Sequence, residues 1–400
     1  MSASAVEFPI QGTVAPGFEA VEACFHENFT HGVECGAGFA VLRDGKPLVD
    51  LVGGFASADL DRVWDADTLV SVYSTTKGIV ALGIAGLVAD GVLDLDAPVA
   101  RYWPEFAAAG KAEVTVAQML SHQAGLVGLR DPVTLEDHYA PVALAARLAA
   151  AEPLWAPGTA MGYHPITWGT LAGELIRRIT GATAGELVRS RVAGPAQADF
   201  HLGLPPSEHH RCADLIGPNR PWREMPGVTD APPGPARPTS ELQDLANGNP
   251  VIRPFKDVAS AAYREAELPA ANGHGTALAL ARIYAAAIDP ETPLVPAAGL
   301  AAALRQVVGP EQEDLVLAGR RFRRSAAGFM LNHDGIYGPD ADANPGAFGH
   351  DGAGGSFGFA DPANRLAMGY VMNQMQVHPE ADQRGRRLLR AVHACIASGA

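Results

Sequence analysis

The chain has 400 residues, 48% of them hydrophobic and 18% charged, a globular composition that excludes an intrinsically disordered protein. At this length we expect one large domain or two closely packed ones. A net charge of −14 argues against a general nucleic-acid or anionic-membrane surface, and Lys and Arg form no basic tract.

The first eight residues carry no basic region followed by an apolar run, so no secretory signal is readable. The longest apolar stretch, 79–88, is about half the ~20 residues that span a bilayer. Cys24, Cys35, Cys212 and Cys395 are scattered without a Cys-x-x-Cys pair, which favours buried thiols over a disulfide framework or a metal site. A cytoplasmic location is the expectation.

In chain order, 38–43 and 46–52 are strand-like runs around Asp44-Gly45, a hairpin signal because both turn positions tolerate positive φ. Next comes Ser74-Thr75-Thr76-Lys77, which follows the apolar lead-in 69–73 and opens the apolar stretch 78–88. That stretch predicts a helix too apolar for the surface. Residues three apart share a helix face, with Cβ atoms roughly 5–6 Å apart. If the helix starts at Ser74, Lys77 therefore reaches the Ser74 hydroxyl. A serine hydroxyl is a weak nucleophile at neutral pH until a base activates it. A helix N-terminus adds free N–H groups and partial positive charge where an oxyanion would develop.

The middle of the chain reads as helical, with apolar spacing at 116–121, 141–151, 167–180, 184–192 and 276–288. Thr183 and Glu186 have capping-box spacing, and 239–242 predicts the start of another short helix. Between about 204 and 254 proline is too dense for a regular helix or central strand, so a long loop is expected, either a pocket wall or a surface excursion. Two more strands, 357–360 and 366–372, flank 361–364, and a terminal helix over 381–397 carries arginines on its outer face. The two chain ends thus predict one mostly antiparallel sheet with helices packed on it. The fold class is α/β of the α+β type, with residues 1–90 and 305–400 in the sheet domain and 91–304 in a mostly helical one.

With these elements in place the chain resembles the serine β-lactamase and penicillin-binding superfamily, most closely its class C β-lactamase and family VIII carboxylesterase branch. The resemblance runs from about Gly38 to Met375 in consistent order. Ser74-x-x-Lys77 comes first, then the 91–99 segment (Gly-Val-Leu-Asp-Leu-Asp-Ala-Pro-Val) and Leu120-Ser121-His122-Gln123-Ala124-Gly125-Leu126. Pro157-Gly158 leads to Tyr163-His164-Pro165, the place of the branch's Tyr motif, and 349–356 (Gly-His-Asp-Gly-Ala-Gly-Gly-Ser) stands where the family has its Lys-Thr-Gly strand.

The resemblance implies that Tyr163 joins Lys77 in activating Ser74, the two acting as one coupled unit whose base is left open. A free phenol, with pKa near 10, is a poor base unless cations stabilise its anion. The resemblance also implies an oxyanion hole from the N–H groups of Ser74 and Ala353, with Gly352 permitting close approach of a ligand. His350, Gly352, His164 and Trp168 are the candidate substrate-binding residues. His350 either hydrogen-bonds the substrate, polarises the Tyr163–Ser74 pair, or simply fills the lysine's place. Trp168, with Trp155 and Trp222, is a candidate acyl-pocket lining, although tryptophan more commonly packs in a core or lid.

Two departures from the family pattern matter. Pro165 stands where the family's β-lactamases carry an Asn, and His350 stands where they carry a Lys that binds the antibiotic's carboxylate. Both weaken recognition of a β-lactam and leave acyl transfer from an ester untouched. Three other signals carry less. Gly354-Gly355-Ser356-Phe357-Gly358 matches a Gly-x-Ser-x-Gly elbow but runs into a strand, not a helix. His274 reads first as part of a loop before the helix from Thr276, and His122 as a helix-end residue. His26, His31, His209 and His210 lack partners at metal-ligand spacing.

The expected function is a serine carboxylesterase acting on a small-molecule ester, with no cofactor or metal and no nucleic-acid or membrane partner. β-Lactamase, D-amino acid peptidase or amidase, and acyltransferase activities are the alternatives within the enzyme class. A non-catalytic ligand-binding or assembly module is the alternative outside it. The sequence carries no signal for a particular oligomeric state.

Overall fold

The hairpin at Asp44-Gly45 joins the second and third strands, counted from one edge, of a nine-stranded antiparallel sheet. Both turn residues have positive φ (52° and 72°), the geometry whose twist matches that of the strands it joins. The computed structural model describes residues 7–217, 240–253, 255–317, 319–333, 335–338, 344–376 and 382–399. The chain begins with β1 (Ile10–Val14), β2 (Gly36–Arg43) and β3 (Lys46–Gly54). It then contributes β4 (Val70–Ser71), β5 (Phe200–His201) and β6 (His274–Gly275), which form a separate small sheet in the order β4-β6-β5. The last six strands are β7 (Gln306–Val308), β8 (Arg323–Ser325), β9 (Met330–Leu331), β10 (Phe348–Asp351), β11 (Phe357–Asp361) and β12 (Leu366–Met372). They complete the large sheet in the order β1-β3-β2-β12-β11-β10-β9-β8-β7. The two chain ends meet where β2 pairs with β12, Phe39 opposite Tyr370 and Val41 opposite Met368.

The helices are α1 (Glu19–Thr30), α2 (Thr75–Ala89), α3 (Val116–Leu120), α4 (Leu135–Tyr139), α5 (Pro141–Ala150), α6 (Thr167–Thr180), α7 (Ala184–Val188), α8 (Glu241–Gly248), α9 (Ala261–Glu265), α10 (Ala277–Ala287), α11 (Ala297–Leu304) and α12 (Arg384–Ala397). Strand alternation sorts them into layers. Phe39, Val41, Phe359, Met368 and Tyr370 share a core with Phe25 and Phe29 of α1 and Leu388 and Leu389 of α12. Ala40, Leu42, Phe348, Ala360 and Val371 belong to the opposite core, with Ile79 of α2 and Leu280 of α10. Helix α2 is buried almost all round, and each buried Ile, Leu or Val contributes about 1.5–3 kcal/mol.

The expected helices form, several within a residue or two of their predicted ends. Thr183 and Glu186 make their capping box, and Ser240 and Gln243 make another before α8. The 184–192 helix turns into a π-helical stretch at Arg189–Ala193, which includes Ser190, whose hydroxyl donates back to the Glu186 carbonyl. Helix α10, inside the stretch assigned to the helical domain, packs on β2, β11 and β12 instead. The terminal helix starts at Arg384, which faces inward to an ion pair with Glu34, while Arg386 and Arg390 are exposed on its outer face. Of the proline-rich stretch, residues 218–239 and 254 lie outside the described residues, Trp222 among them. All four cysteines are free thiols, and no helix among the described residues is long and apolar enough to cross a membrane.

Candidate active site

Ser74 sits where β4 hands over to α2. Tyr73, just before it, takes a left-handed backbone conformation (φ 46°) that costs a non-glycine residue energy and turns the chain sharply into the helix. Ser74 occupies the N-cap position yet makes no side-chain capping bond, so its hydroxyl is not spent on the helix. The next two residues anchor the turn. Thr75 Oγ1 lies 3.1 Å from Ser356 Oγ, and Thr76 Oγ1 accepts from the Gly273 N–H at 2.9 Å.

One turn on, the wholly buried Lys77 directs Nζ at three oxygens: Ser74 Oγ (3.2 Å), the Pro165 carbonyl (2.9 Å) and the Ala270 carbonyl (2.8 Å). Burial first, and the Arg324 charge second, hold its ammonium well below the usual lysine range, with Asp351 pulling the other way. Pro165 lacks the side-chain amide of the family's Asn, but its backbone oxygen keeps a contact to the lysine.

Tyr163 completes the trio, its hydroxyl 2.8 Å from Ser74 Oγ. Its backbone N–H donates to the buried Asp314 carboxylate, which also receives the N–H groups of Val316 and Leu317 and so ties the tyrosine to the 313–321 loop. Burial pushes the phenol above its ordinary range, opposed by the Arg324 charge and the hydrogen bond with Ser74.

The turn after β10 closes against the start of α2. A Cβ on Gly352 would lie 2.2 Å from the Val72 carbonyl and 2.4 Å from Ser356 Oγ, so only glycine fits. That contact brings the following residue, the exposed Ala353, beside the Ser74 turn. Ser356, the rejected elbow serine, is buried and donates to the Val72 carbonyl at 2.9 Å. It buttresses the Ser74 turn.

The other candidates lie behind the reacting atoms. His350 is 1% exposed, and both ring nitrogens are engaged: Nδ1 with the Asp351 carbonyl (2.6 Å), Nε2 with Arg324 Nη1 (2.9 Å). It therefore offers no nitrogen to a substrate and instead stacks on the Tyr163 ring, with centroids 6.3 Å apart. His164 is likewise buried, with Nδ1 on the Gly162 carbonyl and Nε2 accepting from Leu126 N–H, and burial takes its pKa down to about 4. It braces the loop and is not a substrate contact. Trp168 is buried with its N–H on the Leu120 carbonyl and its ring 5.9 Å from Lys77 Nζ, a core floor beneath the lysine and not an acyl-pocket wall. His122, next to the Tyr163 ring, accepts from the His164 N–H, and His274 holds the Asn272 carbonyl. Both are structural.

Sequence reasoning missed Arg324, Asp314 and the Ala270 carbonyl. A signal existed for the first: Arg320, Arg321, Arg323 and Arg324 crowd one short stretch, a basic cluster that the charge argument passed over.

Fold and trio together define a class, proteins that present a serine hydroxyl bonded to a lysine and a tyrosine at the start of a buried helix beside an antiparallel sheet. The chain belongs to the beta-lactamase family, whose sequence profile matches residues 25–393. It is 36% identical over 383 residues to the esterase/beta-lactamase LipL of Mycobacterium tuberculosis (strain ATCC 25618 / H37Rv), a match covering 91% of this chain and 83% of that one. A family VIII carboxylesterase crystal structure superposes with a TM-score of 0.87 at 42% identity, covering 97% of this chain and all of the other. A penicillin-binding protein homologue from Caulobacter crescentus superposes with a TM-score of 0.85 at 40% identity over the same shares.

Proposed function

We propose that this protein is a serine carboxylesterase that hydrolyses small esters through an acyl-enzyme on Ser74. The observation that carries the reading is the bonded unit at Ser74 Oγ, with the Tyr163 hydroxyl at 2.8 Å and Lys77 Nζ at 3.2 Å. The esterase names of the Mycobacterium relative and of the superposed carboxylesterase support it.

The depressed Lys77 pKa favours a neutral amine. Such an amine has two N–H groups, which the Pro165 and Ala270 carbonyls take, and one lone pair left for Ser74. Tyr163, raised by burial, stays protonated and donates to Ser74 Oγ. Lys77 is therefore the base and Tyr163 the acid. As Ser74 Oγ bonds to the ester carbonyl carbon, its proton moves to Lys77. The N–H groups of Ser74 and Ala353 receive the oxyanion, a contribution of about 3–4 kcal/mol. The carbon–alkoxide bond then breaks, Tyr163 protonates the leaving oxygen, and Lys77 returns a proton to Tyr163. Water repeats the sequence: it yields a proton to the same pair, attacks the acyl carbon and restores the Ser74 hydroxyl.

The substrate is an ester in preference to a β-lactam, because Pro165 has no side-chain amide and the neutral His350 is committed to Arg324 and its own strand. A cavity of about 300 Å³ that Ser71 of β4 helps to line, with Leu215, Ile216, Phe255 and Val258 and also Asp214, Arg264 and His274, is our proposed place for a small or medium acyl chain. Four free cysteines suit a reducing compartment, so we place the protein in the cytoplasm. The test compares p-nitrophenyl butyrate with nitrocefin on the wild type and Ser74→Ala, alongside fluorophosphonate labelling. We expect the ester to be favoured by orders of magnitude, with turnover and label both lost in Ser74→Ala. A preference for nitrocefin, or turnover surviving in Ser74→Ala, would refute the proposal.

A further inference from the structure

Arg324 of β8 is 1% exposed, yet among the described residues it forms no ion pair and its Nε has no partner. Buried charges are ordinarily paired, because an uncompensated one is costly. Its guanidinium lies between two rings, 4.8 Å from the Phe322 centroid and 5.2 Å from the Tyr163 centroid. Among the described residues its one side-chain hydrogen-bond partner is neutral, the imidazole Nε2 of His350. Arginine only donates, so that nitrogen accepts, and the proton on Nδ1 goes to the Asp351 carbonyl. The ring is thereby locked against Tyr163.

We infer that Arg324 is a positioning residue for acyl transfer, clamping His350 against Tyr163 and keeping a fixed positive charge behind the Ser74–Lys77–Tyr163 unit. The inference rests on the esterase reading above. The charge acts on Lys77 in a definite direction: a nearby cation disfavours the ammonium and enlarges the neutral fraction that can accept the Ser74 proton. Lys77 also faces Tyr163 and His164, His122 beyond α3, and His350 and Asp351 of β10. The three histidines are held neutral by burial, and of the rest only Asp351 opposes Arg324.

The experiment measures kcat/KM for p-nitrophenyl butyrate across pH 5–10 on the wild type, Arg324→Met, Arg324→Lys and Ser74→Ala, with fluorophosphonate labelling and thermal midpoints in parallel. In Arg324→Met the acid limb should move to higher pH by about one unit or more. In Arg324→Lys, which keeps the charge but loses the planar stack, the limb should stay in place while the rate falls. A methionine variant that labels on Ser74 and keeps the wild-type limb overturns the inference, leaving Arg324 a packing residue. Arg324→Gln, read in the same way, replaces it if methionine prevents folding. Failure of the esterase reading looks different: the wild type itself neither turns over the ester nor takes the label on Ser74.

Discussion

Arg384 Nη2 donates a 2.6 Å hydrogen bond to the carbonyl of Gly354, tying the C-terminal helix to the turn that carries Ala353. The same guanidinium pairs with the buried Glu34 and with Asp382, and it holds the Gln374 carbonyl. Removing one partner of a buried pair costs about 3–5 kcal/mol, because the other charge is left uncompensated. We expect Arg384→Met to lose stability in that range, and its kcat to fall more than its KM rises as the turn loosens. Denaturant unfolding and steady-state kinetics check both, and a variant with wild-type kcat would detach the helix from the oxyanion turn.

The pair also carries a pH signature. Burial pushes the Glu34 carboxyl up to about 7, against the pull of the Arg384 charge and the Tyr370 hydroxyl. Its folded-state pKa thus lies above the ordinary value of 4.5. The associated stabilisation is fully present below that ordinary value and is lost as pH rises through about 7. We expect wild-type stability, measured against Glu34→Gln, to decline across this window. A constant difference between the two would contradict the assignment.

Gly78 offers a test of packing close to Ser74. A Cβ there would lie 2.2 Å from the Tyr284 hydroxyl oxygen and 3.2 Å from His350 Cβ. Alanine would ordinarily gain roughly 0.5–1 kcal/mol inside a helix. Overpacking costs typically about 1–3 kcal/mol, so the clash wins and Gly78→Ala should destabilise. The Tyr284 hydroxyl is buried without a hydrogen-bond partner among the described residues, so Tyr284→Phe should be neutral or slightly stabilising. The double variant should recover most of the loss. An equal loss with and without the hydroxyl would assign the clash to His350.

Much of this arrangement was legible before the coordinates. The Asp44-Gly45 turn, the strands at 366–372 and the helix at 167–180 carry strong local patterns, and the Ser-Lys spacing forecasts the 3.2 Å contact. Strands β7, β8 and β9 are two or three residues long, too short for alternation to register. Helix α1 was readable and went unread: Val21, Phe25 and Phe29 recur every four residues on its buried face. The roles of His350, His164 and Trp168 were not readable, because their partners come from strands and loops far away in the chain. Arg324 reaches His350 across 26 residues, and Trp168 meets a carbonyl 48 residues away. Motif position places a residue near a site without saying which way its side chain points.

The proposed proton flow from Ser74 to Lys77 is tested by two substitutions. Lys77→Arg keeps N–H donors and much of the length, but a guanidinium does not deprotonate in proteins, so it has no lone pair to offer. We expect kcat/KM to fall about 10²–10⁴-fold, the usual worth of a general base, and Tyr163→Phe to lose a similar factor as the acid. Because the Lys77 pKa is depressed, wild-type activity should rise with pH and level off well below the ordinary lysine value of 10.5. An active Lys77→Arg would transfer the base to Tyr163.

Gly217 tests where the acyl chain goes. It lines the cavity of about 300 Å³ with Leu215, Ile216, Phe255 and Val258, and a Cβ there would meet only the Phe255 ring, at 3.5 Å or more. Leucine therefore enters without backbone strain and occupies space that a chain would use. Each methylene denied burial costs about 0.8 kcal/mol, so displacing three or four should cost about 3 kcal/mol, or about 100-fold. In Gly217→Leu, kcat/KM for p-nitrophenyl octanoate should fall by that factor relative to the acetate, with the acetate itself little changed. An unchanged ratio would move the chain to the cavity of about 360 Å³ beside the Gly352 turn, which Phe322, Ile336 and Tyr337 help to line.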